Sequence, residues 1–135
     1  MHTTWDNNEV FLRSSYEFEY AEILDKQKIH YEVESLRIKY FDTLDNCVRI
    51  AIPDFYIPST NTIVEIKSEY TTNSINMRDK FKAYKEHGYN AKLILEHKEV
   101  DIENIKDSER YKNERYRNGR CYLKEHWIWM NKDGK

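Results

Sequence analysis

Glycine, proline and cysteine are scarce in this chain of 135 residues, which has 3 glycines, 2 prolines and 2 cysteines. So few glycines and prolines argue against a disordered chain, and the length suits one ordered domain. The two cysteines, Cys47 and Cys121, lack metal-ligand spacing, and we expect free thiols in a reducing compartment. Long apolar runs are also missing, which excludes a membrane span and predicts a cytoplasmic protein.

An excess of basic charge is missing too, since the formal net charge is −2. Net charge is a poor guide to nucleic-acid binding where the two signs are segregated. In residues 110–124, six basic side chains and three tyrosines accompany one acidic side chain. Such segments contact phosphates and bases, although a loop whose charges only solubilise it is the alternative. The candidate DNA contacts are Arg78, Lys82, Arg110, Lys112, Arg115, Arg117 and Arg120.

Two helices are predicted, over about Ser15–Gln27 and Asn73–His87, the second ending before Gly88. The apolar face of the second is expected to contain Met77, Phe81 and Tyr84, and basic residues including Lys80 decorate this helix. The apolar sector of the first is expected to contain Tyr16, Tyr20, Ile23 and Leu24, with Ala21 at its edge. Strands are expected over Tyr31–Tyr40, Cys47–Ile52, the segment around Pro53-Asp54, Thr62–Lys67 and Tyr89–Leu95.

Glu17 falls inside the apolar sector of the first helix. A carboxylate that faces a core needs a cation or hydrogen-bond donors, because its unpaired burial is costly. One interpretation is a metal ligand. The other is a capping box, in which Ser14 or Ser15 is the N-cap and Glu17 shields backbone amides of its own helix.

Two further acids and a lysine are brought together by a turn. Asp54 and Glu65 lie on predicted strands that flank the turn Pro58–Asn61, so they face each other across it. Lys67 points the same way as Glu65, because side chains alternate along a strand. A carboxylate pair suits Mg²⁺, and a neighbouring lysine can orient water and offset phosphate charge. The alternative is a solvated sheet face, which is common where 34% of residues are charged.

Together these motifs resemble the PD-(D/E)XK nuclease superfamily. Pro53-Asp54 is followed after ten residues by Glu65-Ile66-Lys67. The upstream segment Leu12–Glu17 resembles the acid-bearing helix of the phage endonuclease I family of Holliday-junction resolvases. Segments Pro53–Pro58 and Val64–Ser68 are similar to those of phage-borne homing endonucleases.

The resemblance implies an α/β fold with a restriction-endonuclease-like core, a mixed β-sheet flanked by α-helices. The core would span residues 1–109. The basic, aromatic extension over 110–135 would fold back on this domain, form a dimer contact, or lead into a DNA-binding module that the chain does not include. Asp54, Glu65, the backbone carbonyl of Ile66 and Glu17 would bind Mg²⁺ or Mn²⁺. Lys67 would orient the nucleophilic water, and Ser68 would touch a phosphate or act as a plain loop hydroxyl.

The activity implied is metal-dependent hydrolysis of DNA phosphodiesters by a homing-type nuclease or its catalytic domain, encoded by a phage or mobile element. A structure-selective junction resolvase is the alternative. A DNA-binding protein with the same fold and no catalysis is a third possibility. The expected partners are double-stranded or branched DNA and a second copy of the chain, in the cytoplasm of a bacterial host.

Overall fold

The computed structural model describes residues 1–68 and 72–106. This part of the chain contains two α-helices, α1 (Ser15–Lys26) and α2 (Ser74–Glu86). Its strands are β1 (His2–Thr3), β2 (Glu9–Val10), β3 (Glu32–Val33), β4 (Ile38–Asp42), β5 (Cys47–Ala51), β6 (Phe55–Ile57), β7 (Thr62–Lys67), β8 (Asn90–Leu95) and β9 (Lys98–Val100). Short 3-10 turns occupy Pro58–Thr60 and Ile102–Asn104. Neither helix in these ranges is long and apolar enough to cross a membrane.

The central sheet has the strand order β3-β6-β7-β8-β9. Its pairs are antiparallel except β7 with β8, which are parallel and joined by α2. A parallel pair needs a crossover of this kind, because a tight turn can only reverse the chain. The strands β4 and β5 form a separate hairpin, as do β1 and β2. The mixed sheet with its two helices confirms the predicted α/β class.

The helices pack on opposite faces of this sheet. Ile63 and Leu93 belong to the apolar cluster that contains the buried side chains of α2. Their neighbours Val64 and Ile94 belong to the cluster that contains those of α1. This alternation follows from the two-residue period of a strand, and it places Glu65 on the same face as Ile63, under α2.

Helix α1 begins at its predicted cap, where the Ser14 hydroxyl accepts the amide of Glu17 at 3.2 Å. Its buried side chains are Glu17, Ala21 and Leu24, which are spaced four and three residues apart. The expectation that Ile23 packs on this face is wrong, because its side chain is 50% exposed. The packed face is centred on Ala21 instead, and this brings Glu17 inward.

Two other predictions are corrected. The strand expected over Tyr31–Tyr40 is broken into β3 and β4, because Glu34 adopts a left-handed conformation with φ 51°. Cys47 is buried and disulfide-bonded, so the prediction of a free thiol there is wrong. Cys121 lies outside the described residues, as does the boundary proposed at residues 109 and 110.

Candidate active site

Asp54 and Glu65 face each other where strands β6 and β7 begin to separate. Phe55 pairs with Val64 in this antiparallel ladder, so the next position outward pairs Asp54 with Glu65. At that position the carboxylate Oδ2 of Asp54 accepts the backbone amide of Ile66 at 2.8 Å. Directly opposed residues project from the same face with Cβ atoms about 4.5–5.5 Å apart. The two acids therefore lie side by side, as predicted from the turn.

Glu65 is the more deeply buried of the pair, with 3% of its surface exposed. Its Oε1 accepts a hydrogen bond of 3.0 Å from the hydroxyl of Tyr84 on α2. Its Oε2 accepts no hydrogen bond from any residue in the described ranges. A carboxylate oxygen buried in this way is expensive unless a cation meets it.

Lys67 and Glu17 act electrostatically on the same pair. Lys67 is half-buried at the end of β7, on the same face as Glu65. Glu17 is buried on α1, where one carboxylate oxygen accepts the amide of Arg13 at 2.9 Å. The Ser14 N-cap is therefore confirmed, but in place of an amide of its own helix Glu17 accepts one that precedes the cap, in a local hydrogen bond. This bond does not exclude a role in the site, because the charge of Glu17 still acts on Asp54.

The pKa of Asp54 reports how these groups act together. Burial, and then the negative charge of Glu65, raise the pKa of Asp54 to about 7, and Glu17 adds to the rise. Lys67 and the amide of Ile66 oppose it by stabilising the carboxylate. The charges of Glu17, Glu65 and Lys67 thus all act on Asp54.

The residues suit a magnesium ion held mainly by two carboxylates. Within residues 1–68 and 72–106, no three acidic, histidine or cysteine side chains form a ready ligand group for a metal. Asp54 and Glu65 supply two carboxylates, whereas Glu17 is engaged by the Arg13 amide. Mg²⁺ is commonly held by one or two carboxylates together with waters and substrate phosphate oxygens. The donor set therefore fits Mg²⁺ in its chemistry.

Helix α2 adds a second lysine near the pair, Lys80, which was predicted only as one of the basic residues that decorate this helix. Lys80 is half-buried, and its Nζ lies 5.7 Å from the ring centroid of Tyr40 on β4. Burial lowers the pKa of Lys80, while the charge of Glu65 opposes this and that of Lys67 adds to it. A signal for this position was present, because Lys80 and Tyr84 are four residues apart and share a helix face.

The predicted DNA contacts divide into three groups. Arg78 is half-buried, and its guanidinium donates to the carbonyls of Glu103 and Ile105 at 3.4 Å, tying α2 to the segment after β9. Lys82 is exposed on α2, and Ser68 is half-buried directly after β7. The remaining candidates lie outside the described residues: Arg110, Lys112, Arg115, Arg117 and Arg120.

The carboxylate pair lies near two lysines, Lys67 and Lys80, that interact with it electrostatically. Two acids can hold a hard cation, and two ammonium groups near them can bind a phosphate.

No protein-family model, curated protein or solved structure matches this chain.

Proposed function

We propose that this chain is a metal-dependent DNA endonuclease with a restriction-endonuclease-like core. The observation that carries the proposal is the pairing of Asp54 with Glu65 at the open end of the β6–β7 ladder. Lys67 shares their face, and Oε2 of Glu65 is buried without a donor among the described residues. A solvated sheet face is disfavoured, because such a face would leave Glu65 exposed rather than 3% accessible.

In this proposal Asp54 and Glu65 hold Mg²⁺, assisted by the backbone carbonyl of Ile66. The bound ion would polarise the phosphoryl group and lower the pKa of water. Lys67 orients the attacking water and stabilises the charge that develops on the phosphate oxygens. Glu17 contributes charge, and a water-mediated contact to the ion is its expected role. In the metal-free protein Asp54 is mostly ionised only above about pH 7, so the affinity for Mg²⁺ should increase as pH rises toward that value.

The proposed substrate is double-stranded DNA, cut by a homing-type enzyme that acts as a dimer. The described residues of each chain provide one such site, so cutting both strands calls for two chains. The N-terminal motif Leu12–Glu17 favours a second candidate, a resolvase of branched DNA. In the third reading, the chain binds DNA with this fold but does not cut it.

Plasmid nicking in Mg²⁺ tests the proposal. Asp54→Asn keeps an acceptor for the Ile66 amide but removes the charge, and Lys67→Met removes the ammonium. Each should lower the cleavage rate by on the order of 10²-fold or more, as loss of a single stabilising group does in other hydrolases. Glu99→Gln and Lys98→Met are matched controls, because both residues are exposed on β9 and should leave cleavage unchanged.

Three outcomes separate the readings. Cleavage that survives both Asp54→Asn and Lys67→Met removes this centre from consideration. A wild-type protein that binds DNA and cuts nothing in Mg²⁺ or Mn²⁺ supports the non-catalytic reading. Cleavage of a four-way junction, with a matched linear duplex left intact, supports the resolvase.

A further inference from the structure

Helix α2 packs on the face of the sheet that bears the carboxylate pair, and a hydrogen bond ties it to Glu65. The Tyr84 hydroxyl reaches Oε1 of Glu65 at 3.0 Å, so Tyr84 stands above Glu65. The start of β8 lies beside the start of β7, since Thr62 pairs with Asn90. Helix α2 therefore runs back against the direction of β7, from its end toward its beginning.

This direction places Lys80 above Lys67. One helical turn advances about 5.4 Å, and two strand residues advance about 6.6 Å. Lys80 precedes Tyr84 by about one turn on the same helix face, so it lies above the strand position two residues beyond Glu65. That position is Lys67. The two ammonium groups thus belong to different layers, that of Lys67 to the sheet and that of Lys80 to the helix.

The surroundings of Lys80 hold its amine without an ion-pair partner among the described residues. Its Nζ lies 5.7 Å from the Tyr40 ring centroid, a favourable cation–π distance. The Tyr40 hydroxyl accepts the side-chain amide of Asn76 at 2.9 Å, so α2 also orients this ring. Across the described ranges, no carboxylate forms an ion pair with Lys80 within 4.0 Å. A half-buried ammonium group without an ion-pair partner can bind a ligand that carries a negative charge.

We infer that Lys80 binds the DNA phosphate that is cut, so that this phosphate is held between Lys80 on α2 and Lys67 on β7. The inference rests on the proposed nuclease function. Lysine suits the task, because its ammonium is a compact point charge that binds phosphate oxygens from one direction. The exposed lysines of α2 are not equivalent, since only Lys80 shares the face of Tyr84 and lies over the acids.

The charge balance of the site gives Lys80 a specific consequence. The three carboxylates and two ammonium groups leave one negative charge, which a single Mg²⁺ turns into one positive charge. Without Lys80 the loaded site is neutral and loses its net attraction for a phosphodiester. Lys80 should therefore affect phosphate binding as well as the rate of cleavage.

The test compares Lys80→Met, Lys80→Gln and Lys80→Arg with the control Lys85→Met, an exposed position on the same helix. Plasmid nicking in Mg²⁺ measures catalysis, and binding of a fluorescent duplex in Ca²⁺ over a range of salt measures phosphate contacts. The neutral variants should cut on the order of 10²-fold more slowly. Their plot of log affinity against log salt should be shallower by about 0.9, the value for one lost phosphate contact.

Rescue of the slope by Lys80→Arg would show that the charge matters rather than the packing, and thermal unfolding identifies any variant that fails to fold. Lys80→Gln replaces Lys80→Met if the latter does not fold. If the wild type cuts, Asp54→Asn does not, and the neutral Lys80 variants behave like Lys85→Met, the inference is overturned while the nuclease stands. If the wild type does not cut, the nuclease proposal fails, and the slopes of log affinity against log salt still test whether Lys80 contacts a phosphate. A slope that changes in the neutral Lys80 variants but not in Lys85→Met supports that contact. Equal slopes in all variants, or no DNA binding, refute it.

Discussion

Replacement of Asp54 by asparagine should make the metal-free protein more stable while it slows cleavage on the order of 10²-fold or more. The pKa of Asp54 is about 7 in the folded protein and 3.8 in its ordinary, unfolded setting. Between these values the folded state binds a proton that the unfolded state has released. The free energy of unfolding therefore falls as pH rises through this window. The contribution of Asp54 to stability is therefore fully present below pH 3.8 and fully lost above about pH 7.

The magnitude follows from the size of this shift. About three pKa units at about 1.36 kcal/mol each make roughly 4 kcal/mol of destabilisation at about pH 8. Asparagine removes the charge but still buries a polar amide, which costs about 1–3 kcal/mol. We therefore expect Asp54→Asn to gain on the order of 2 kcal/mol at about pH 8. At about pH 5 the gain should be small, because the wild-type carboxyl is already mostly protonated there.

Urea unfolding in EDTA at the two pH values measures this difference. Mg²⁺ should reverse the ranking, because a ligand that binds only the folded state stabilises it in proportion to occupancy. Wild type should then gain stability from Mg²⁺ and Asp54→Asn should not. Equal stability of the two proteins at both pH values would refute the reasoning, as would a gain from Mg²⁺ of the same size in both.

Two further predictions concern buried polar contacts. Tyr84→Phe should lose about 2 kcal/mol of stability in urea, because it removes the donor to the buried Glu65 carboxylate. Tyr89→Phe removes a hydroxyl without a partner among the described residues and should change little; equal losses would contradict the assignment. Arg49→Met should lose about 3–5 kcal/mol, because Asp42 is buried and accepts from its guanidinium at 2.6 Å. Breaking the exposed pair that Lys92 forms on β8 should cost less than about 1 kcal/mol, and a thermal scan that ranks the two the other way would refute this.

The centre of the site was predictable because it depends on short-range rules. Alternation along β7 separates Glu65 and Lys67 from Val64 and Ile66, and both clusters of the core confirm this. The turn at Pro58–Thr60 then sets the register that brings Asp54 opposite Glu65. Each step involves neighbours in the chain, so no long-range information was needed.

The errors arose where residue type gave no local signal. Glu34 takes a left-handed conformation that a glutamate rarely adopts, and its amide donates to the carbonyl of Asp54 at 3.2 Å. Tertiary contact therefore ends the strand there. A similar reason explains why the short edge strand β9 was missed. It follows a two-residue turn at Glu96 and His97, both with positive φ, where asparagine and glycine are usual.

The position of Lys80 could be predicted from the sequence only in part. Its helix and the face it occupies could be read from spacing, but its position above Lys67 depends on where α2 crosses the sheet. That crossing is determined by packing of α2 against described side chains of β4, β5, β7 and β8. A one-dimensional pattern identifies a core-facing lysine, and only the packed fold shows which acids it meets.

The turn between β8 and β9 connects the two elements that bear the outer catalytic groups. The amide of Glu96 donates to the carbonyl of Lys67 at 3.1 Å, and its carboxylate accepts the Tyr16 hydroxyl at 2.8 Å. A surface turn normally tolerates changes in length, but here one added residue would pull on a strand end and a helix start together. Loop-length libraries that vary this turn should therefore lose cleavage.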